Sequence, residues 1–167
     1  MRTGSLRRGS TCDRLPSRRS SRLNNQRASH AELGAGTMQQ IENQLFQQPL
    51  ADLGAKLSYF RSLERIWKLI EKDYADSDLD LEKAVRVSGI SKNHLNVMMR
   101  REIGFTFYQL LIRYRLFQAL TMMRSRNYSL LEIVIETGFG SLSAFERSFR
   151  KVVGLTPSEF RNFRDFW

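Results

Sequence analysis

Between residues 129 and 161 the apolar positions fall into two short helical stripes separated by a glycine. Leu130, Ile133 and Val134 recur at i, i+3 and i+4, the spacing of a helix buried along one side. Gly138 supplies the permissive backbone that a turn between two nearly perpendicular helices needs. Beyond Ser141, which opens the next helix, Leu142, Phe145 and Phe149 form a second stripe, leaving Glu146, Arg147, Arg150 and Lys151 polar. Gly154 terminates that helix, and Thr156-Pro157 restarts one with a capping hydroxyl and a proline at the first position. Helix, tight turn, helix and a supporting helix behind them spell a helix-turn-helix.

The same pattern occurs upstream, over residues 81–110. A shift of 50 places lays Leu95 on Phe145, Met99 on Phe149, Arg100 on Arg150, Arg101 on Lys151, Gly104 on Gly154 and Thr106 on Thr156. Before the second helix the shift is 49, placing Ala84 on Ile133, Val85 on Val134 and Gly89 on Gly138, so one extra residue sits at the downstream turn. A period this long marks a duplicated supersecondary unit, and two copies make paired modules rather than a solenoid. Ser91 is the expected cap of the upstream second helix. Between the units, residues 105–124 predict one long helix with Phe107, Leu110, Leu111, Tyr114, Phe117, Leu120 and Met123 buried. Its length of roughly 30 Å is close to the roughly 34 Å between successive major-groove faces of a duplex.

Ahead of the repeats, residues 56–74 predict a single amphipathic helix with Tyr59, Leu63, Ile66, Trp67 and Ile70 along its apolar side and Trp67 as a core anchor. Residues 39–55 predict a short helix followed by a connector. Asp76, Asp78 and Asp80 alternate as in a calcium loop, but Leu81 and Val87 stand where such a loop needs glycine and the closing glutamate. Carboxylates at a helix entry account for them better. The expected class is therefore all-α.

Charge sharpens the picture because it is uneven. The net +10 divides into +7 over residues 1–30, −5 over 31–82 and +8 from Lys83 onward, where both repeats lie. Basic charge on such modules is what attraction to phosphate requires, the plainer alternative being a solvated basic face. Residues 1–37 are Arg/Ser-rich and poor in apolar positions, which predicts a disordered tail. Three readings stand for it: a basic arm adding nonspecific DNA affinity, a dispensable tail, or sequence upstream of a start at Met38. Its composition also resembles an organelle transit peptide. Cys12 is the lone cysteine, so no internal disulfide is expected, and no apolar run approaches the length of a membrane span.

Gly138-Phe139, five residues, Phe145-x-Arg147-x-Phe149-Arg150-Lys151, then Gly154, Pro157 and Arg161 in register, resembles the signature of AraC/XylS-type transcription regulators. The upstream unit, the joining helix and the spacing between units agree, so the resemblance covers roughly residues 59–164. It implies a bacterial, cytoplasmic protein with a seven-helix DNA-binding domain of two helix-turn-helix subdomains, each placing a helix into adjacent major-groove segments of double-stranded DNA. On that basis 56–167 is the expected domain, with 79–102 and 129–153 as its two units, 105–125 as linker helix and 38–55 as connector. The large sensor domain of full-length members has no room in this chain. No cofactor is implied, and RNA polymerase is a possible protein partner.

The stripes also select candidate readers. With Leu95 and Met99 turned inward, Asn93, Asn96 and Val97 face outward. With Phe145 and Phe149 inward, Ser143, Glu146 and Arg147 face outward, and Leu142 can face either way. The resemblance assigns base reading to the same seven positions. Arg147 suits guanine, Asn93 or Asn96 adenine, Glu146 cytosine, and Val97 and Leu142 a thymine methyl. Phosphate positioning falls to Lys92, Arg100, Arg101, Arg113, Arg150 and Lys151, with Ser91, Thr106, Ser141 and Thr156 at helix N-termini adding backbone donors. Arg161 is expected to pair near the last helix. Polar residues are commoner in the family at positions 97 and 142. Val85 and Val134 stand where it favours alanine, adding bulk at a close crossing.

Nothing supports an enzyme. His30 and His94 are far apart, and there is no metal spacing, phosphate loop, paired catalytic carboxylates or nucleophile motif. The competing function is an adaptor that contacts polymerase or another regulator with little sequence reading, which the outward apolar Val97 and Leu142 favour.

Overall fold

The computed structural model describes residues 38–58, 60–125 and 127–164. Among these, every regular element is a helix: α1 (Met38–Phe46), α2 (Leu50–Ser58), α3 (Arg61–Asp73), α4 (Leu81–Ser88), α5 (Lys92–Ile103), α6 (Phe107–Arg124), α7 (Leu130–Glu136), α8 (Leu142–Val153) and α9 (Pro157–Arg164). Helices α4 and α5 form the first helix-turn-helix, α7 and α8 the second, and α6 joins them. The tail expected over 1–37, with Cys12, lies outside the described residues. Among those described, no helix is long and apolar enough to cross a membrane.

The seven helices implied by the resemblance are α3 to α9, and two more precede them. Over 56–74 the chain is not one helix: α2 ends at Ser58, Phe60 is extended (φ −111°, ψ 116°), and α3 starts at Arg61. Tyr59 lies outside the described residues. The rest of the stripe is buried as its spacing requires, with Trp67 edge-on to Tyr114 at a centroid distance of 5.5 Å. The break lets α2 fold back onto α3 and α5. Helix α1 instead lies on α6 and α8, burying Ile41, Leu45 and Phe46, with the Phe46 ring edge-on to Phe117 at 6.1 Å. The segment expected as a connector thus joins one apolar core with both subdomains.

Helix α6 has 18 residues, about 27 Å of axis. Its N-terminus carries a full capping box, the Thr106 hydroxyl accepting from the Gln109 N–H and the Gln109 side chain accepting from the Thr106 N–H. Because α1, α4, α5, α7 and α8 surround it, α6 is buried on more than one side. Leu116, Ala119 and Arg115 are buried beside the expected stripe, whereas Phe117 is only half-buried.

The acidic turn does the work of a helix entry. Asp80 caps α4 by accepting from the Lys83 N–H at 2.7 Å. The Lys83 ammonium sits 3.1 Å from Asp73 and 3.2 Å from Asp76, and these carboxylates raise its pKa. Among the described residues no group of His, Cys, Asp and Glu is arranged to hold a metal ion.

Two contacts bring the turn between α3 and α4 against the second unit and α6. Gly138 has φ +71°, and a methyl group built on it would lie 2.6 Å from the Tyr74 carbonyl oxygen and 2.7 Å from that of Ala75. From α6, the buried Arg115 donates through Nε to the Tyr74 carbonyl and through Nη2 to the Asp76 carbonyl, both at 2.7 Å. The Phe139 ring stands 6.0 Å from its guanidinium. Burial lowers the Arg115 pKa, and the nearby Asp76 charge opposes that shift.

Candidate nucleic-acid interface

Helix α5 turns Leu95, Met99 and Ile103 into the core and ends at Gly104. Its outer face carries Asn93, His94, Arg100 and Arg101, all exposed, and Val97, which is 66% exposed. The Ser91 hydroxyl makes no capping bond, unlike the expectation for it. The first N–H groups of α5 therefore keep their donor capacity at an exposed helix end, the arrangement that attracts an anion. Lys92 beside them is held by Glu82 at 2.8 Å, which raises its pKa, and Arg101 Nε bonds Glu102 at 2.6 Å. Both pairs are largely solvated, so they give way readily to a stronger anion.

Asn96 departs from its expected outward position. It is half-buried, and its Oδ1 accepts from the Phe107 N–H at the start of α6, at 3.4 Å. The repeat explains why Glu146, its counterpart, differs. The residue matching Phe107 is Pro157, which has no N–H to offer, and Glu146 stays exposed.

Helix α8 is anchored by an aromatic row: Phe139 to Phe145 at 5.1 Å, Phe145 to Phe149 at 5.5 Å, and Phe149 to Phe160 of α9 at 5.8 Å. Ser141 caps it by accepting from the Ala144 N–H at 3.2 Å. Ser143, Glu146, Arg147, Arg150 and Lys151 are exposed, and Leu142, open in either direction by sequence, is 39% exposed. Arg147 joins none of the ion pairs among the described residues.

Of the remaining positions, Thr156 caps α9, its hydroxyl accepting from the Glu159 N–H at 3.2 Å. Arg113 is half-buried rather than free on the surface: its guanidinium lies 4.4 Å over the Phe105 ring and donates to the Gln109 carbonyl at 3.5 Å. Arg161 Nη2 donates to the Tyr128 carbonyl at 2.7 Å, tying α9 to the loop before α7. Tyr108, outside the expected apolar stripe of α6 and not among the candidate DNA contacts, lines a cleft with Arg113, Arg147 and Lys151. It follows the buried Phe107 in the first turn of α6 and is itself exposed, its ring 5.7 Å from that of Phe107.

Residues 84–162 match a family model described as a helix-turn-helix domain. YesN of Bacillus subtilis, described as an uncharacterized transcriptional regulatory protein, is 32% identical over 121 residues, covering 71% of this chain and 33% of that protein. The protein described as "Probable transcription factor PqrA" from Proteus vulgaris is 30% identical over 83 residues, 50% of this chain and 68% of PqrA. Among solved structures, the C-terminal domain of AraT, a response regulator from Geobacillus stearothermophilus, superposes with a TM-score of 0.57 at 29% identity, covering 60% of this chain and 83% of that one. The chain spans about a third of the length of several longer relatives it matches. With two capped helix-turn-helix units around one linker helix and these relatives, the chain belongs to the AraC/XylS-type family of DNA-binding transcription regulators.

Proposed function

We propose that the chain reads double-stranded DNA sequence-specifically with α5 and α8 in adjacent major-groove segments, and regulates transcription from there, with RNA polymerase as a further partner. The observation that carries this reading is Arg147: exposed, outside every ion pair among the described residues, and fixed on a helix clamped from behind by Phe145 and Phe149. A guanidinium carried on a firmly seated helix and left outside the ion pairs is suited to a bidentate contact with guanine. Asn93, Val97, Leu142, Ser143 and Glu146 are the other base readers, and Asn96 reads only if it leaves Phe107. Lys92, Arg100, Arg101, Arg150 and Lys151 position the phosphates, helped by the N-termini at Ser91, Thr106, Ser141 and Thr156. Arg113, set lower, completes that set at the head of α6.

Selection of bound duplexes from a random pool tests the reading. Arg147→Ala is expected to cost about 1–3 kcal/mol and relax choice at one base. An unchanged preference would end the base-reading role. Lys151→Ala should weaken all sequences alike and lower the slope of log affinity against log salt by about 1, measured by fluorescence anisotropy at several salt concentrations.

The adaptor reading draws support from Val97 and from Leu131 and Ile135, which are 61% and 64% exposed at i, i+4 on α7. An adaptor would yield only shallow, sequence-blind affinity in the same selection.

A further inference from the structure

Between the first two turns of α6 and the middle of α8 lies a cleft of about 290 Å³. Arg113, Arg147 and Lys151 line it, no carboxylate does, and Ile112, Val152 and Tyr108 supply apolar surface. Tyr108 is 50% exposed, so its ring stands open beside the cavity. Arg113 is the unusual member. Its Nε is sealed from solvent without a hydrogen-bond partner, and its guanidinium meets the Phe105 ring and one carbonyl rather than a carboxylate. Burial alone lowers its pKa. A partly desolvated cation without a counter-charge gains from an anion brought to it.

The cleft has room for more than one small anionic group. Its volume equals that of roughly ten waters at about 30 Å³ each, far more than one phosphate group fills. It falls near the lower end of small-molecule pockets, about 300–1,000 Å³, which combine apolar walls with a few convergent polar groups. We infer that this cleft binds a small flat aromatic carboxylate, its anion between Arg113 and Lys151 and its ring against Tyr108, Ile112 and Val152, and that such a ligand competes with DNA. The competition rests on the reading of α8 given above, since the ligand occupies Lys151 and the cleft that Arg147 lines; the binding itself does not.

Titration of the isotope-labelled full chain with 2-naphthoate, followed by amide NMR, tests it. Saturable shifts at residues 108, 112, 151 and 152 are expected, with inorganic phosphate moving them far less. Tyr108→Ala should weaken 2-naphthoate about fivefold, the worth of one aromatic contact, and leave DNA affinity unchanged. Apparent DNA affinity of the native chain should fall as 2-naphthoate passes its own Kd. Shifts that never saturate, or equal shifts from phosphate, overturn the site; saturation with DNA affinity unchanged overturns the competition. A DNA titration without 2-naphthoate probes α8 separately: absent shifts at residues 143–151 would sink the DNA reading while the carboxylate site stood or fell by its own data.

Discussion

Gly138→Ala is expected to destabilise the protein by about 3–4 kcal/mol. A left-handed backbone costs an ordinary residue about 1–2 kcal/mol, and overlap with a fixed neighbour adds about 1–3 kcal/mol. Both apply at Gly138, where φ is +71° and the added methyl would stand within 2.7 Å of two backbone oxygens. Those carbonyls cannot swing aside as a long side chain would, because Arg115 holds one of them. Gly89, its counterpart in the first unit, has φ +73° but open space around the same methyl. Gly89→Ala should therefore cost only the backbone share, about 1–2 kcal/mol. Thermal unfolding followed by circular dichroism distinguishes the two, with a drop in Tm of roughly 10 °C or more for Gly138→Ala. Equal losses at both glycines would show that the approach to Tyr74 and Ala75 contributes nothing.

Arg115→Met is expected to cost about 2–4 kcal/mol. The side chain is 8% exposed and donates two charge-assisted bonds to main-chain carbonyls across the junction. Each such bond is worth about 1.5–3 kcal/mol, and deleting the donor strands a buried acceptor. Methionine restores much of the packing and none of the hydrogen bonds. Arg115→Lys should recover part of the loss, since one ammonium cannot span two carbonyls in the way a guanidinium does. The loss in the double variant with Gly138→Ala should fall short of the sum, because both single changes disturb the Tyr74 carbonyl. Denaturant unfolding gives all three values, and strict additivity would mean that the two contacts act independently.

What could be read from the sequence followed from local periodicity. The stripes Leu95–Met99 and Phe145–Phe149 share one spacing with their flanking glycines, and both sets are buried as that spacing demands. Features set by distant partners were hidden. No proline or glycine announces the break at Phe60, which comes from α2 turning back onto α3 and α5. Leu116 and Ala119 fall outside the stripe expected over 105–124 and are buried because neighbouring helices cover α6 on more than one side. Arg115 finds its carbonyls about 40 residues away, beyond any window of helical spacing. At the interface, the outward face of α8 was legible because one aromatic row fixes its rotation. Asn96 was not, since its partner is an N–H on the next helix.

The missing amide hydrogen of Pro157 gives the two units different freedom to change. In the first, a new side chain at position 96 abandons a bond to the next helix, so on the proposed DNA reading a change of base choice there carries a folding penalty. In the second, position 146 answers to no such bond, so on the proposed DNA reading a substitution there should alter base choice without disturbing the scaffold. On the same reading, thermal stability should fall on substitution at position 96 and hold on substitution at position 146.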